Sequence, residues 1–185
     1  MCRARWEHVD FKAKTWVVPP ENLKVKSDHP WVVPLSSLAV EIFEALTREA
    51  GGSGWVCASP VNPDVPIGVN ALTQAMKRLY VRGSLKDGFT KNPKRADMGR
   101  PRPYDLRRTV RTGLAKMRID PDVARRCLDH RPKGADVDDL HYNQHDYVDE
   151  RRDALEAWAT YLRRTITPPP SNVVEMRPVE KREVA

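Results

Sequence analysis

The chain has 185 residues, of which 40% are hydrophobic and 31% charged, with a formal net charge of +7. That composition excludes fibrous and wholly disordered classes, and the length suits one well-buried domain rather than two full-sized ones. No apolar run approaches the roughly 18 residues of a membrane-crossing helix, and the opening residues lack the apolar centre of a signal peptide.

A cytoplasmic protein without membrane contact is therefore expected. Cys2, Cys57 and Cys127 are far apart in sequence. Such spacing argues against a disulfide framework or a cysteine zinc site and fits a reducing compartment. The excess of positive charge favours a polyanionic partner.

Taken in chain order, 6–10 reads as a turn or helix end running into a β-branched and aromatic strand around Thr15-Trp16-Val17-Val18. A second strand, Trp31-Val32-Val33, is expected to end at Pro34, and the polar stretch 20–29 between them makes a hairpin. Ser36 is placed to cap a helix running to about residue 48, with Val40, Phe43 and Leu46 on its inner face. Trp55-Val56-Cys57 has the composition of a buried strand. Asn70 then caps a helix over 71–80, on which Leu72, Met76 and Leu79 form an apolar line.

The polar segment 82–102 carries Lys86, Lys91, Lys94, Arg95, Arg100 and Arg102, a set suited to DNA phosphates. A segment of this length inside a domain is more often functional than not. Pro103 precedes a helix over 105–117, with Leu106, Val110, Leu114 and Met117 turned inward and Gly113 allowing close packing. Arg107 and Arg111, one turn apart, share a face directed away from that row, and guanidinium groups match phosphate geometry well. Asp120-Pro121 is a strong start for a short helix buried through Val123, Ala124, Cys127 and Leu128. Cys127 is accordingly a core residue, not a nucleophile. A last helix spans 149–163, facing inward through Ala154, Leu155, Trp158, Tyr161 and Leu162, and the chain after 165 reads as a flexible tail.

The ordered set Tyr104-x-x-Arg107, Leu128-Asp129-His130 and Tyr142 followed by Asn143-Gln144-His145-Asp146-Tyr147 resembles the catalytic domain of the tyrosine recombinase, or phage integrase, family. The run Glu150-Arg151-Arg152-Asp153-Ala154-Leu155-Glu156-Ala157-Trp158 is most similar to the prophage and genomic-island branch. The resemblance covers roughly 5–162 and implies a mainly α fold with a small antiparallel β-sheet, followed by a tail over 166–185. It also implies double-stranded DNA with attachment sites as partner, a tetramer in the synapse, and neither cofactor nor metal.

By that resemblance Tyr142 attacks the scissile phosphate to form a 3′-phosphotyrosyl link, and Arg107 grips a nonbridging oxygen. His130 holds or accepts a proton near the phosphate. Lys24, on the hairpin, is the general acid for the departing 5′-oxygen, with Lys26 as the alternative match. Tyr104 stands where the family usually has histidine, and Asp129 where it usually has glycine. The family's first catalytic arginine belongs on a helix before the segment matching 2–9, so the sequence is expected to lack the beginning of the domain. Strand cleavage by the chain as written is then expected to be absent or very weak, with a noncatalytic DNA-binding remnant as the alternative. His130, His141 and His145 also raise a metallohydrolase, but neither an HExxH pattern nor a tight carboxylate cluster accompanies them.

Overall fold

Three short strands rich in aromatic and β-branched residues begin the fold. In the computed structural model the described residues are 2–23, 29–81, 102–129 and 147–167. Strands β1 (Val9–Asp10), β2 (Thr15–Val18) and β3 (Trp31–Pro34) form an antiparallel sheet in the order β1-β2-β3. Trp16 pairs with Val9 on one side and Val33 on the other. The expected hairpin is thus present, joined by a first strand too short to be read from pattern.

Asp10 forms the β1–β2 turn by accepting from the Ala13 N–H at 2.8 Å, and Lys14 adopts a positive φ of 52°. Pro34, expected to end β3, is instead paired with Thr15. A proline fits there because β3 is an edge strand, where a missing N–H leaves no ladder bond broken.

Helix α1 (Ser37–Glu49) follows at once, capped as expected by Ser36, whose hydroxyl accepts from Ala39 N–H at 3.3 Å. It lays Phe43 against Trp6 and Trp16, both at ring-centroid distances of 6.3 Å. Ala4, Leu35, Phe43 and Val56 form this first core. The Trp55–Cys57 stretch is not a strand. Val56 is buried, but pairing is limited to isolated bridges between Arg5 and Trp55 and between Ala58 and Pro66.

Helix α2 (Ala71–Val81) has its expected extent, yet Leu72 and Leu79 are exposed rather than inward. The second core is built by α3 (Pro103–Lys116), α4 (Pro121–Arg126) and α5 (Val148–Ile166). Leu114, Val123, Ala124, Cys127 and Ala154 make its buried centre, with Val110, Met117, Leu155 and Trp158 packed around it. Asp120 caps α4 as read, accepting from Asp122 N–H at 2.7 Å and Val123 N–H at 3.3 Å. Leu106 departs from the expectation and is 53% exposed, because α3 turns its 107/110/114 side to α4. Tyr161 is likewise exposed, with its ring stacked on Trp158.

Helix α5 joins the two cores. Arg151 donates to the Val32 carbonyl of β3, Arg163 pairs with Glu41 of α1, and Arg152 reaches the Ala13 and Lys14 carbonyls at 3.3 and 3.4 Å. Glu156 accepts from the Ser37 hydroxyl and from the Ser37 N–H at 2.7 Å. These two bonds hold its carboxyl below the usual carboxylate range. A depressed folded-state pKa means stabilisation that is present above the unfolded value of about 4.3 and lost as pH falls through the folded one. Glu156→Gln is therefore expected to flatten the acid limb of a melting-temperature profile below about pH 4.3 while costing about 1–2 kcal/mol at pH 7, as charge-assisted bonds become neutral ones. Melting curves from pH 3 to 7 check this, and an unchanged acid slope would refute it.

Candidate functional site

The site is framed by the start of α3, the end of α4 and the start of α5. Pro103 opens α3 with its φ preset and no N–H to satisfy. The Asp105 carboxylate accepts from Arg102 N–H at 2.8 Å, and Asp105 N–H donates back to the Arg102 carbonyl at 2.9 Å. This turn places Tyr104 at the outer surface, 64% exposed. One turn on, Arg107 is half-buried and donates through Nη2 to the Leu128 carbonyl. Arg108 faces outward and lies 3.9 Å from Asp105.

Arg107 and Arg111 are thus not directed away from the packed side of α3 but lie on its flank, both half-buried. The physical reason is the end of α4. A short helix leaves carbonyls without intrahelical partners, and Leu128, at that end, finds its donor in the Arg107 guanidinium. A guanidinium carries five N–H donors in a planar fork.

Asp129 closes the turn with a φ of 49° and its N–H 3.3 Å from the Arg126 carbonyl. The left-handed conformation that glycine adopts freely is therefore kept here by an aspartate. Asp is among the few side chains that enter this region readily, at about 1–2 kcal/mol. Burial pushes the Cys127 thiol up to about 11, with the Arg151 charge opposing only part of the shift. Such a thiol is almost entirely protonated at neutral pH, in keeping with a core residue.

At the start of α5, Tyr147 also takes a positive φ of 50° and receives the Arg126 guanidinium over its ring at 4.7 Å. Its carbonyl accepts from Arg151 N–H at 2.9 Å, the first turn of α5. Asp129 and Tyr147 therefore stand on either side of 130–146, both held to α4.

Of the residues singled out from sequence, Tyr104 and Arg107 are seen in place. His130 and Tyr142 lie outside the described residues, as do Lys24 and Lys26 between β2 and β3. The structure brings Arg107 to the turn two residues before His130. Among the described residues no group of His, Cys, Asp or Glu side chains is placed to hold a metal ion, and no helix is long and apolar enough to cross a membrane.

Sequence reading missed Arg151, which is buried at 4% exposure in a run of charges that looks solvated. Its signal is phase: it falls one turn before Ala154 and Leu155 on the stripe that continues to Trp158.

Fold and site together define a mainly α protein with a small antiparallel sheet, in which an arginine-bearing helix is bonded to the turn that enters the next motif. The chain belongs to the phage integrase family, whose model matches residues 1–146. It is similar to prophage integrase IntA of Escherichia coli (strain K12), with 28% identity over 162 residues, covering 86% of this chain and 34% of that protein. Prophage integrase IntZ of the same strain is 29% identical over 156 residues, 84% of this chain and 33% of the relative. The chain thus spans about a third of the length of these curated relatives. No solved structure matches it.

Proposed function

We propose that the chain is the catalytic domain of a tyrosine recombinase, breaking and rejoining DNA strands at attachment sites through a covalent 3′-phosphotyrosyl intermediate. The observation that carries this reading is the bond from Arg107 to the Leu128 carbonyl. It joins two motifs separated in sequence at the point where a phosphate-binding arginine and a histidine must act together. The family match supports it further, since 1–146 includes Tyr104, Arg107, His130 and Tyr142.

In this reading the Tyr142 phenolic oxygen attacks phosphorus, the bond to the 5′-oxygen breaks, and Lys24 supplies the proton that the departing oxygen takes. A phenol with a pKa near 10 is a poor nucleophile unless nearby cations stabilise the charge that develops. Arg107 supplies one such cation at a nonbridging oxygen, and His130 a proton-handling group beside it. Asp129 keeps a left-handed turn immediately before His130 in sequence, despite replacing the glycine usual in the family. Tyr104, exposed one turn before Arg107, provides a hydroxyl near the phosphate where the family has an imidazole. A 5′-hydroxyl from a second duplex then attacks the phosphotyrosine and restores the phosphodiester. The prophage branch, a homotetrameric synapse, a cytoplasmic setting and a domain ending near residue 165 belong to the same proposal.

The test is a pool of randomised duplexes carrying a nick beside each potential cleavage point, so that the short cleaved end diffuses away and the adduct accumulates. A slowly accumulating detergent-resistant protein–DNA adduct, mapped by peptide mass to Tyr142 and absent in Tyr142→Phe, is the expected result, in keeping with the very weak cleavage anticipated from the sequence. Salt-sensitive DNA binding in both proteins with an adduct in neither would leave a noncatalytic DNA-binding role instead.

A further inference from the structure

Arg151 takes no part in the chemistry set out above, yet it is the buried charged side chain among the described residues, 4% exposed. Charges are rarely buried to this degree unless something specific holds them. Its guanidinium donates from Nη2 to the Val32 carbonyl, and its Cζ lies 5.9 Å from the centre of the Trp31 ring. Both partners belong to β3. Its backbone is tied to the other side of the molecule: the N–H donates to the Tyr147 carbonyl at 2.9 Å, and the carbonyl receives the Cys127 thiol at 4.0 Å.

One residue therefore connects the strand that follows 24–28, the helix that follows 130–146, and the end of α4. An apolar side chain of similar length would fill the same space without the directional bond to Val32. Buried polar contacts of this kind commonly add little net stability while selecting one arrangement among several close-packed ones. The planar fork sits over the Trp31 ring, 5.9 Å from its centre, and donates to a backbone oxygen at the same time, which an ammonium group does only in part.

We infer that Arg151 is a positioning residue: it sets the register of α5 on β3, and thereby where the chain re-enters the described fold at 29 and at 147, after the stretches of sequence that contain Lys24 and Tyr142. This rests on the proposed recombinase reading, in which nucleophile and general acid must meet at one phosphate. A displacement of about 1 Å at reacting groups is enough to cost on the order of a hundredfold in rate. The exposed contacts of Arg152 to the Ala13 and Lys14 carbonyls support the same interface from its rim.

Arg151→Met and Arg151→Lys are compared with the parent chain in two measurements. Hydrogen exchange by mass spectrometry is expected to rise by about tenfold or more in Arg151→Met at 31–34 and 147–151, with α3 unchanged and Arg151→Lys intermediate. On the nicked duplex pool, the Tyr142 adduct is expected to fall by about tenfold or more while affinity for a generic duplex at fixed salt stays within about twofold. Exchange rising uniformly across the chain, adduct and affinity falling in parallel, or Arg151→Met matching the parent would each overturn the inference. Absence of an adduct in the parent chain sinks the recombinase reading instead, and the exchange measurement then decides the register role by itself.

Discussion

Arg107→Ala is expected to slow formation of the tyrosyl–DNA adduct by about 10²–10³-fold, the loss typical when one preorganised donor to a developing oxyanion is removed. Affinity for generic duplex DNA should change far less, because many surface cations share that attraction. The same substitution has a structural cost that must be separated from the chemical one. It removes the donor to the Leu128 carbonyl, a charge-assisted bond of about 1.5–3 kcal/mol.

Arg107→Lys separates the two effects. An ammonium keeps the charge and can satisfy Leu128, but it lacks the planar fork that engages a carbonyl and a phosphate oxygen together. Lysine should therefore recover most of the urea midpoint and little of the adduct rate. Single-turnover adduct formation and urea unfolding, run on all three proteins, check this. Recovery of both quantities together in Arg107→Lys would show that the arginine acts through folding alone.

Gly113→Ala is expected to destabilise the chain by about 1–3 kcal/mol, although alanine is favoured over glycine inside a helix by about 1 kcal/mol. A Cβ at this position would clash with Cζ3 of Trp158 and lie 2.8 Å from its Cε3 and Cη2. Trp158 has little room to withdraw, since it packs on the second core and stacks on Tyr161 at 5.4 Å. The clash therefore moves α5 away from α3, and with it the contacts α5 makes to β3 and α1. Combining Gly113→Ala with Trp158→Leu should cost less than the sum of the two single changes, because the smaller side chain makes room for the methyl. Urea midpoints of the four proteins measure that coupling, and a more stable Gly113→Ala single mutant would refute the close approach.

Much of the local structure was legible because each element carries its own start signal. Ser36 and Asp120 sit before helices whose first N–H groups need an acceptor, and both side chains accept as anticipated. Thr15-Trp16-Val17-Val18 and Trp31-Val32-Val33 are β-branched and aromatic, and they pair. Where local chemistry was ambiguous, the reading went astray. Trp55-Val56-Cys57 has strand composition but pairs, among the described residues, only through an isolated bridge from Trp55 to Arg5, and Leu106 is 53% exposed.

The site divides along the same line. Tyr104-x-x-Arg107, Leu128-Asp129-His130 and Tyr142 could be read in order as a family resemblance, and the family's model matches 1–146, while His130 and Tyr142 lie outside the described residues. Their sequence alone placed Arg107 on a helix and marked the family. Only the tertiary structure turned that arginine onto the Leu128 carbonyl, since the orphan carbonyl at the end of α4 becomes its neighbour only after α3 and α4 pack. Arg151 makes the same point more sharply. In sequence it is one charge in a charged run, whereas its burial follows from packing on β3, 119 residues earlier, whose Val32 carbonyl accepts from its guanidinium.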